Sequence, residues 1–266
     1  MVVHPWSAGG GNPKLEPWRA KELDIGYEWY GGNASYFSVH GWYMWLDNYI
    51  YTQVIPADFT GVTPPAADLA TLLATCNGCT ISPLGSLTAP ANGKGGWLRG
   101  IEVSGAFEFG RLSRILDGFG ATGSISYTDY KLDPVAVSNI GGIGANNPVL
   151  PGFSKWVYDL TGYYEKNGFQ ARASWRHRSK YEGEVIALYT NLEPTLTLPD
   201  EQVDAQIGYT FQPGSRLNGL GIVLQVSNVL DSPYRTYVPV GPNSTPILER
   251  FEKYGRSWLL GASYHF

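Results

Sequence analysis

Large apolar residues alternate with small or polar ones in about nine stretches of this chain, and the alternation has period two. The pattern predicts strands over residues 21–30, 34–46, 97–109, 119–129, 154–164, 169–179, 201–211, 220–228 and 256–266, separated by connections rich in Gly, Pro, Asn and Asp. Only Asp68 to Thr75 has a helical look, and it is short.

The connections alternate in length. Those at 31–33, 110–118, 165–168 and 212–219 are short, whereas 47–96, 130–153, 180–200 and 229–255 are long. Strict alternation is expected of an antiparallel up-and-down sheet whose two rims face different surroundings, as in a transmembrane β-barrel with short turns on one side and long loops on the other. A soluble sandwich has no reason to segregate its loops in this way.

Facing supports the same fold class. Pairing the fifth and sixth segments across the turn at Glu165 to Gly168, so that partners sum to 333, puts Trp156/His177, Tyr158/Trp175, Leu160/Ala173, Gly162/Ala171 and Tyr164/Phe169 on one face. The other face holds Lys155/Arg178, Val157/Arg176, Asp159/Ser174, Thr161/Arg172 and Tyr163/Gln170. The first face is aromatic at both ends and small in the middle; the second is polar. Phe37 and Trp45, Phe119 and Tyr127, Trp156 and Tyr164, and Trp258 and Phe266 are each eight residues apart on one face of one strand. At about 3.4 Å per residue and a tilt of roughly 40°, eight residues rise about 20 Å, close to the ~25 Å apolar band between two aromatic girdles. The core of a soluble barrel would instead place its bulk in mid-strand, where this chain has Gly, Ala and Ile.

Composition narrows the function classes. Charged residues are 16% and aromatics 14%, with 33 Gly; such aromatic density excludes a disordered chain. The 23 acidic against 19 basic residues leave no electrostatic footprint for nucleic acid. Cys76 and Cys79 form a Cys-x-x-Cys pair without a second pair or ligand-spaced histidines, so no metal site or cofactor is expected. A local loop disulfide and two free thiols both remain open. Ser38 and His40 share a strand face, but no third group is placed to complete a hydrolytic triad, so no catalytic residue and no enzyme is expected. Nine antiparallel strands cannot close antiparallel on themselves, and an open edge in lipid leaves backbone groups unpaired. That parity, and an N-terminus without the features of a signal peptide, lead us to expect part of a larger barrel, or a miscount of one strand.

Several motifs then carry a resemblance. Gly11-Asn12-Pro13-Lys14-Leu15-Glu16-Pro17 followed by Glu22-Leu23-Asp24-Ile25-Gly26-Tyr27-Glu28, Gly100-Ile101-Glu102-Val103, Ile222 to Asp231 with Tyr234, and Tyr254-Gly255-Arg256-Ser257 with Gly261 to Phe266 resemble, in order, the last part of TonB-dependent outer-membrane receptors. Trp18 stands where that family usually has Glu, and Leu259 where it usually has a polar residue. The resemblance implies the C-terminal portion of a barrel of about 22 strands over residues 1–266, with the plug domain absent. It further implies a cell outer membrane location in a Gram-negative cell and uptake of a scarce nutrient of the siderophore, cobalamin or oligosaccharide class. The implied partners are outer-membrane lipid, the TonB complex through the plug, and the assembly machinery, which would read Gly261, Tyr264 and Phe266 as its signal. The alternatives are a soluble carbohydrate-binding β-protein and a porin-like barrel that does not use TonB.

Ligand candidates lie at the loop rim. Arg176 and Arg178 end a lumenal row that also holds Arg172, and Glu102, Glu108 and Asp204 are lumenal on other strands; such charges ordinarily meet water or a plug. Tyr181 and Tyr189 in one long loop, and Tyr234 and Tyr237 in the next, have the area and polar handle to stack on a sugar or planar chelate, or to pack the loops together.

Overall fold

The computed structural model describes residues 3–32, 35–63, 66–75, 80–133, 149–188, 191–238 and 245–265. Fourteen strands and one α-helix are found among them: β1 (Val3–Gly9), β2 (Arg19–Gly32), β3 (Ser35–Asp58), α1 (Ala66–Thr75), β4 (Thr80–Glu108), β5 (Phe119–Leu132), β6 (Trp156–Lys166), β7 (Phe169–Arg178), β8 (Tyr181–Leu188), β9 (Asn191–Thr197), β10 (Asp200–Thr210), β11 (Leu220–Ser227), β12 (Tyr234–Val238), β13 (Ile247–Glu252) and β14 (Ser257–Tyr264).

The nine expected membrane strands form one antiparallel meander, β2-β3-β4-β5-β6-β7-β10-β11-β14, with β1 joined parallel to β4 beyond the rim. The barrel is not closed, as expected of part of a larger one. Two rings of aromatics mark its borders: Phe119 lies 4.5 Å from Tyr164 at the turn rim, and Tyr127 lies 4.7 Å from Trp156 at the loop rim. Between them the outward face is small or aliphatic and open. Ile101 and Leu160 are about half exposed, at 54% and 53%, as is normal where lipid and not protein covers them.

Two expectations need correction. Partners across β6 and β7 sum to 335, as in Tyr158 with His177 and Lys166 with Phe169, so the register is shifted by two residues from the expected one. The cause is a tighter turn, Asn167-Gly168, in which both residues adopt positive φ (51° and 82°), the geometry of the favoured two-residue hairpin. A Cβ on Gly168 would run into the Thr210 carbonyl oxygen, so only glycine fits. Because the shift is even, every side chain keeps its expected face. Lys155 is the exception: just ahead of β6, it reaches Asp129 at 3.6 Å instead of facing the lumen.

Three of the long connections, 47–96, 180–200 and 229–255, are more ordered in their described residues than their composition suggests. β3 and β4 stay paired from Tyr36/Ala106 past the Trp45/Trp97 border to Asp58/Leu84, a tall hairpin above the membrane. The two later loops pair with each other in a second sheet, β13-β12-β9-β8. The motifs behind the resemblance prove to be latches. Asn12 donates to the Pro90 carbonyl (3.1 Å), while Glu16 and Asn92 exchange two bonds of 2.8 Å, tying the chain ahead of β2 to β4. Asn228, at φ 56°, donates to the Gly255 carbonyl (3.0 Å) and accepts from the Ser232 N–H (2.9 Å), while Arg256 reaches the Val229 carbonyl (2.7 Å). The exit of β11 is thereby fastened to the entry of β14.

Candidate functional site

The loop end of the lumen is where side chains converge. Residues 149–154 turn inward there, and Arg178 at the end of β7 holds them: its Nε donates to Ser154 Oγ (2.7 Å) and its Nη2 to the Gly152 carbonyl. The Gly152 N–H in turn donates to the Glu182 carbonyl (2.8 Å), and the Leu150 N–H reaches the Tyr130 hydroxyl. Leu150 packs with Leu46, Tyr49, Leu98 and Leu132 in the buried core under the loops. There burial pushes the Tyr49 phenol up to about 12, while its hydroxyl donates to the Asp133 carbonyl (2.8 Å). Burial raises Tyr130 as well, and the nearby Glu182 carboxylate adds to the rise.

On one side of this inward segment lies a cavity of about 660 Å³ against the lumenal face of β2, β3 and β4. Trp18, Trp42, Met44 and Phe153 form its apolar walls, and Glu22, Asp24, Glu102 and His40 its polar floor. The register builds it: His40 stands opposite Gly26 on one side and Glu102 on the other, and Trp42 opposite Gly100. A Cβ on Gly26 or Gly100 would collide with the His40 or Trp42 ring, so these glycines let both rings lie flat across the neighbouring strands. His40 is 3.8 Å from Asp24 and 3.5 Å from Glu28. Among the described residues no Lys or Arg lines this cavity.

On the other side, a smaller cavity of about 320 Å³ is enclosed by Gly152, Tyr181, Thr195, Thr197, Tyr234 and Arg250, among others. Burial raises the Tyr234 phenol; its bond with Thr197 opposes that shift, and Tyr181 adds to it. The Arg178 guanidinium stacks on Tyr181 at 3.8 Å.

Of the residues singled out in the sequence, Arg178, Tyr181 and Tyr234 therefore do come together, although the fork of Arg178 is occupied by the chain it anchors. Arg176 pairs with Gln202 lower in the lumen, and Tyr237 sits in β12 opposite Leu196 and Leu248. Gly261 packs against Val223, and Tyr264 pairs with Leu220 at the end of β14. Tyr189, Cys76, Cys79 and Phe266 lie outside the described residues. Among the described residues no group of three or more His, Cys, Asp or Glu is disposed to hold a metal ion. Ser38 bonds Ser104 at 2.7 Å, which uses its hydroxyl away from His40. The larger cavity escaped sequence analysis, although its signal was present: the hairpin turn at 31–33 places Glu22, Asp24 and Glu28 on the face of His40, Trp42 and Met44.

A model of the TonB-dependent receptor-like β-barrel matches residues 4–229. The chain belongs to that family. Among solved structures, the receptor barrel is similar to the copper transporter OprC (15% identity, TM-score 0.57), covering 96% of this chain and 33% of that one. It is also similar to the siderophore receptor PirA from Acinetobacter baumannii (13%, TM-score 0.57; 97% and 33%) and to the ferric citrate transporter FecA (15%, TM-score 0.52; 91% and 31%). At such identities the likeness is one of fold, and the chain spans about a third of the length of these structures. No curated protein matches the sequence. The family is characteristic of the Gram-negative outer membrane, and its members here are transporters and receptors.

Proposed function

We propose that this chain is the C-terminal portion of the barrel of an outer-membrane receptor that captures an oligosaccharide and passes it inward with energy from TonB, delivered through a plug carried elsewhere in the complete protein. The observation that carries the ligand class is the larger lumenal cavity. Aromatic walls facing a floor of carboxylates suit a neutral, hydroxyl-rich ring: its apolar face stacks on Trp42 or Trp18 while its hydroxyls donate to Glu22, Asp24 or Glu102. An anionic ferric chelate would meet three carboxylates, with no Lys or Arg among the described lining residues to balance them. Tyr181 and Tyr234, which line the smaller cavity on the far side of residues 149–154, are kept with Tyr237, Arg176 and Arg178 as candidates for contact with a longer saccharide. Gly261, Tyr264 and Phe266 serve assembly, and no cofactor takes part.

The complete protein, extracted from outer membranes in detergent, should bind oligosaccharides with quenching of tryptophan fluorescence. Trp42→Ala should weaken binding by about tenfold. Uptake in cells should vanish when TonB is deleted. Tighter binding of an anionic ferric chelate than of any saccharide, unaltered in Trp42→Ala, would overturn the ligand class; recovery as a detergent-free monomer would overturn the membrane reading.

A further inference from the structure

The outward face of the loop-side girdle is not purely aromatic. Register places Lys21 opposite Trp45, Trp45 opposite Trp97, and Trp97 opposite Lys131, so one row across β2 to β5 reads Lys-Trp-Trp-Lys. One step toward the bilayer, Arg99 folds back over the Trp97 ring at 4.6 Å and meets Asp129 at 3.2 Å. Lys155, just ahead of β6, reaches the same carboxylate. Lys21, with a side chain 77% exposed, is 3.8 Å from Asp47. Four cations thus stand against two carboxylates, in a chain whose net charge is −4. Lys131 has no ion-pair partner among the described residues. At the turn rim, by contrast, the outward Lys166 is neutralised by Asp117 at 2.9 Å.

We infer that this patch binds the phosphate groups of a phosphorylated glycolipid in the outer leaflet. The inference rests on the reading of the chain as a membrane-spanning barrel with its long loops outside. Depth is the first reason: cations on a lipid-facing strand are tolerated only near the interface, where headgroups and not acyl chains meet them. Chemistry is the second. The exposed Lys21–Asp47 pair is weak, so a phosphate can exchange into it, and Arg offers a planar fork to two of its oxygens. The row also spans about 14 Å across four strands, wide enough to meet more than one phosphate at once. The Trp45 and Trp97 rings then lie where the sugars meet the acyl chains, an amphipathic position that suits indole.

The test uses the complete protein in non-ionic detergent, with lipid A, the same lipid stripped of its phosphates, and inorganic phosphate as probes. The triple variant Lys21→Gln/Arg99→Gln/Lys131→Gln should retain lipid A at least about tenfold more weakly than the unaltered protein, whereas removing three turn-rim cations (Arg114→Gln/Lys166→Gln/Arg216→Gln) should change retention less than about twofold. Should the triple variant fail to fold, Lys131→Glu alone must weaken retention by about threefold or more. Equal retention by the loop-rim variant, equal binding of the stripped lipid, or displacement by inorganic phosphate at lipid-like concentrations would each overturn the inference, the last in favour of a free-phosphate site. A protein that never enters a membrane would overturn both this inference and the membrane reading; an embedded barrel with unchanged lipid retention would overturn this inference alone.

Discussion

Ala173→Arg and Ser174→Arg differ by one step along β7, and their consequences should differ by far more. Ala173 points outward between Gly162 of β6 and Ala205 of β10. It lies four residues from Phe169 at one border and from His177 near the other, about 10 Å from either rim at the usual rise and tilt. An arginine there is too deep to reach either interface without cost, and the cost at the midplane is about 2–4 kcal/mol, or roughly thirtyfold to a thousandfold in the folded fraction. Ser174 points into the lumen, where its hydroxyl bonds Thr161 Oγ1 at 3.0 Å and its partner across the ladder is Asp204. Replacing it loses one hydrogen bond, about 0.5–1.5 kcal/mol, and sets a guanidinium beside a carboxylate in a wet interior. The net change should stay within about 1 kcal/mol. Each substitution is placed in the complete protein, and the heat-modifiable barrel in outer membranes is measured, followed by urea unfolding of what is recovered. Equal loss for both, or greater loss for Ser174→Arg, would show that the faces are assigned the wrong way round.

Two further outcomes follow from single residues. Gly168→Val forces a β-branched side chain into φ +82° and against the Thr210 carbonyl, and should destabilise the barrel by about 1–3 kcal/mol in urea unfolding, whereas Asn167→Gly should be nearly silent. Tyr49 has its phenol raised from 10 to about 12, so the protonated form is favoured in the folded state. Its contribution is complete below pH 10 and is lost as pH rises toward 12; absorbance at 295 nm should lose a late-titrating tyrosine in Tyr49→Phe.

The extent and facing of the membrane strands were legible in the sequence, because a strand between lipid and lumen must alternate strictly and an interface selects aromatics at fixed spacing. Phe119 with Tyr127 and Trp156 with Tyr164 are enough to set the borders, and neither depends on knowing which strand is neighbour to which. The motif Asn228 to Asp231 was equally visible, since a residue at positive φ that caps its own loop leaves a local signature. What the sequence left open is what two distant segments settle between them. The register of β6 on β7 turned on whether the hairpin used two turn residues or four, a difference that preserves every face and so leaves no trace in the hydrophobic pattern. The second sheet arises because β9 and β12, far apart in sequence, satisfy each other's backbone groups above the membrane, where composition alone suggested loops. The cavity required Gly26 and Gly100 to lie beneath His40 and Trp42, and required Arg178 to draw residues 149–154 inward. Each of these is a contact between strands or between strand and loop, and its free energy exists only once the sheet has brought the two partners together.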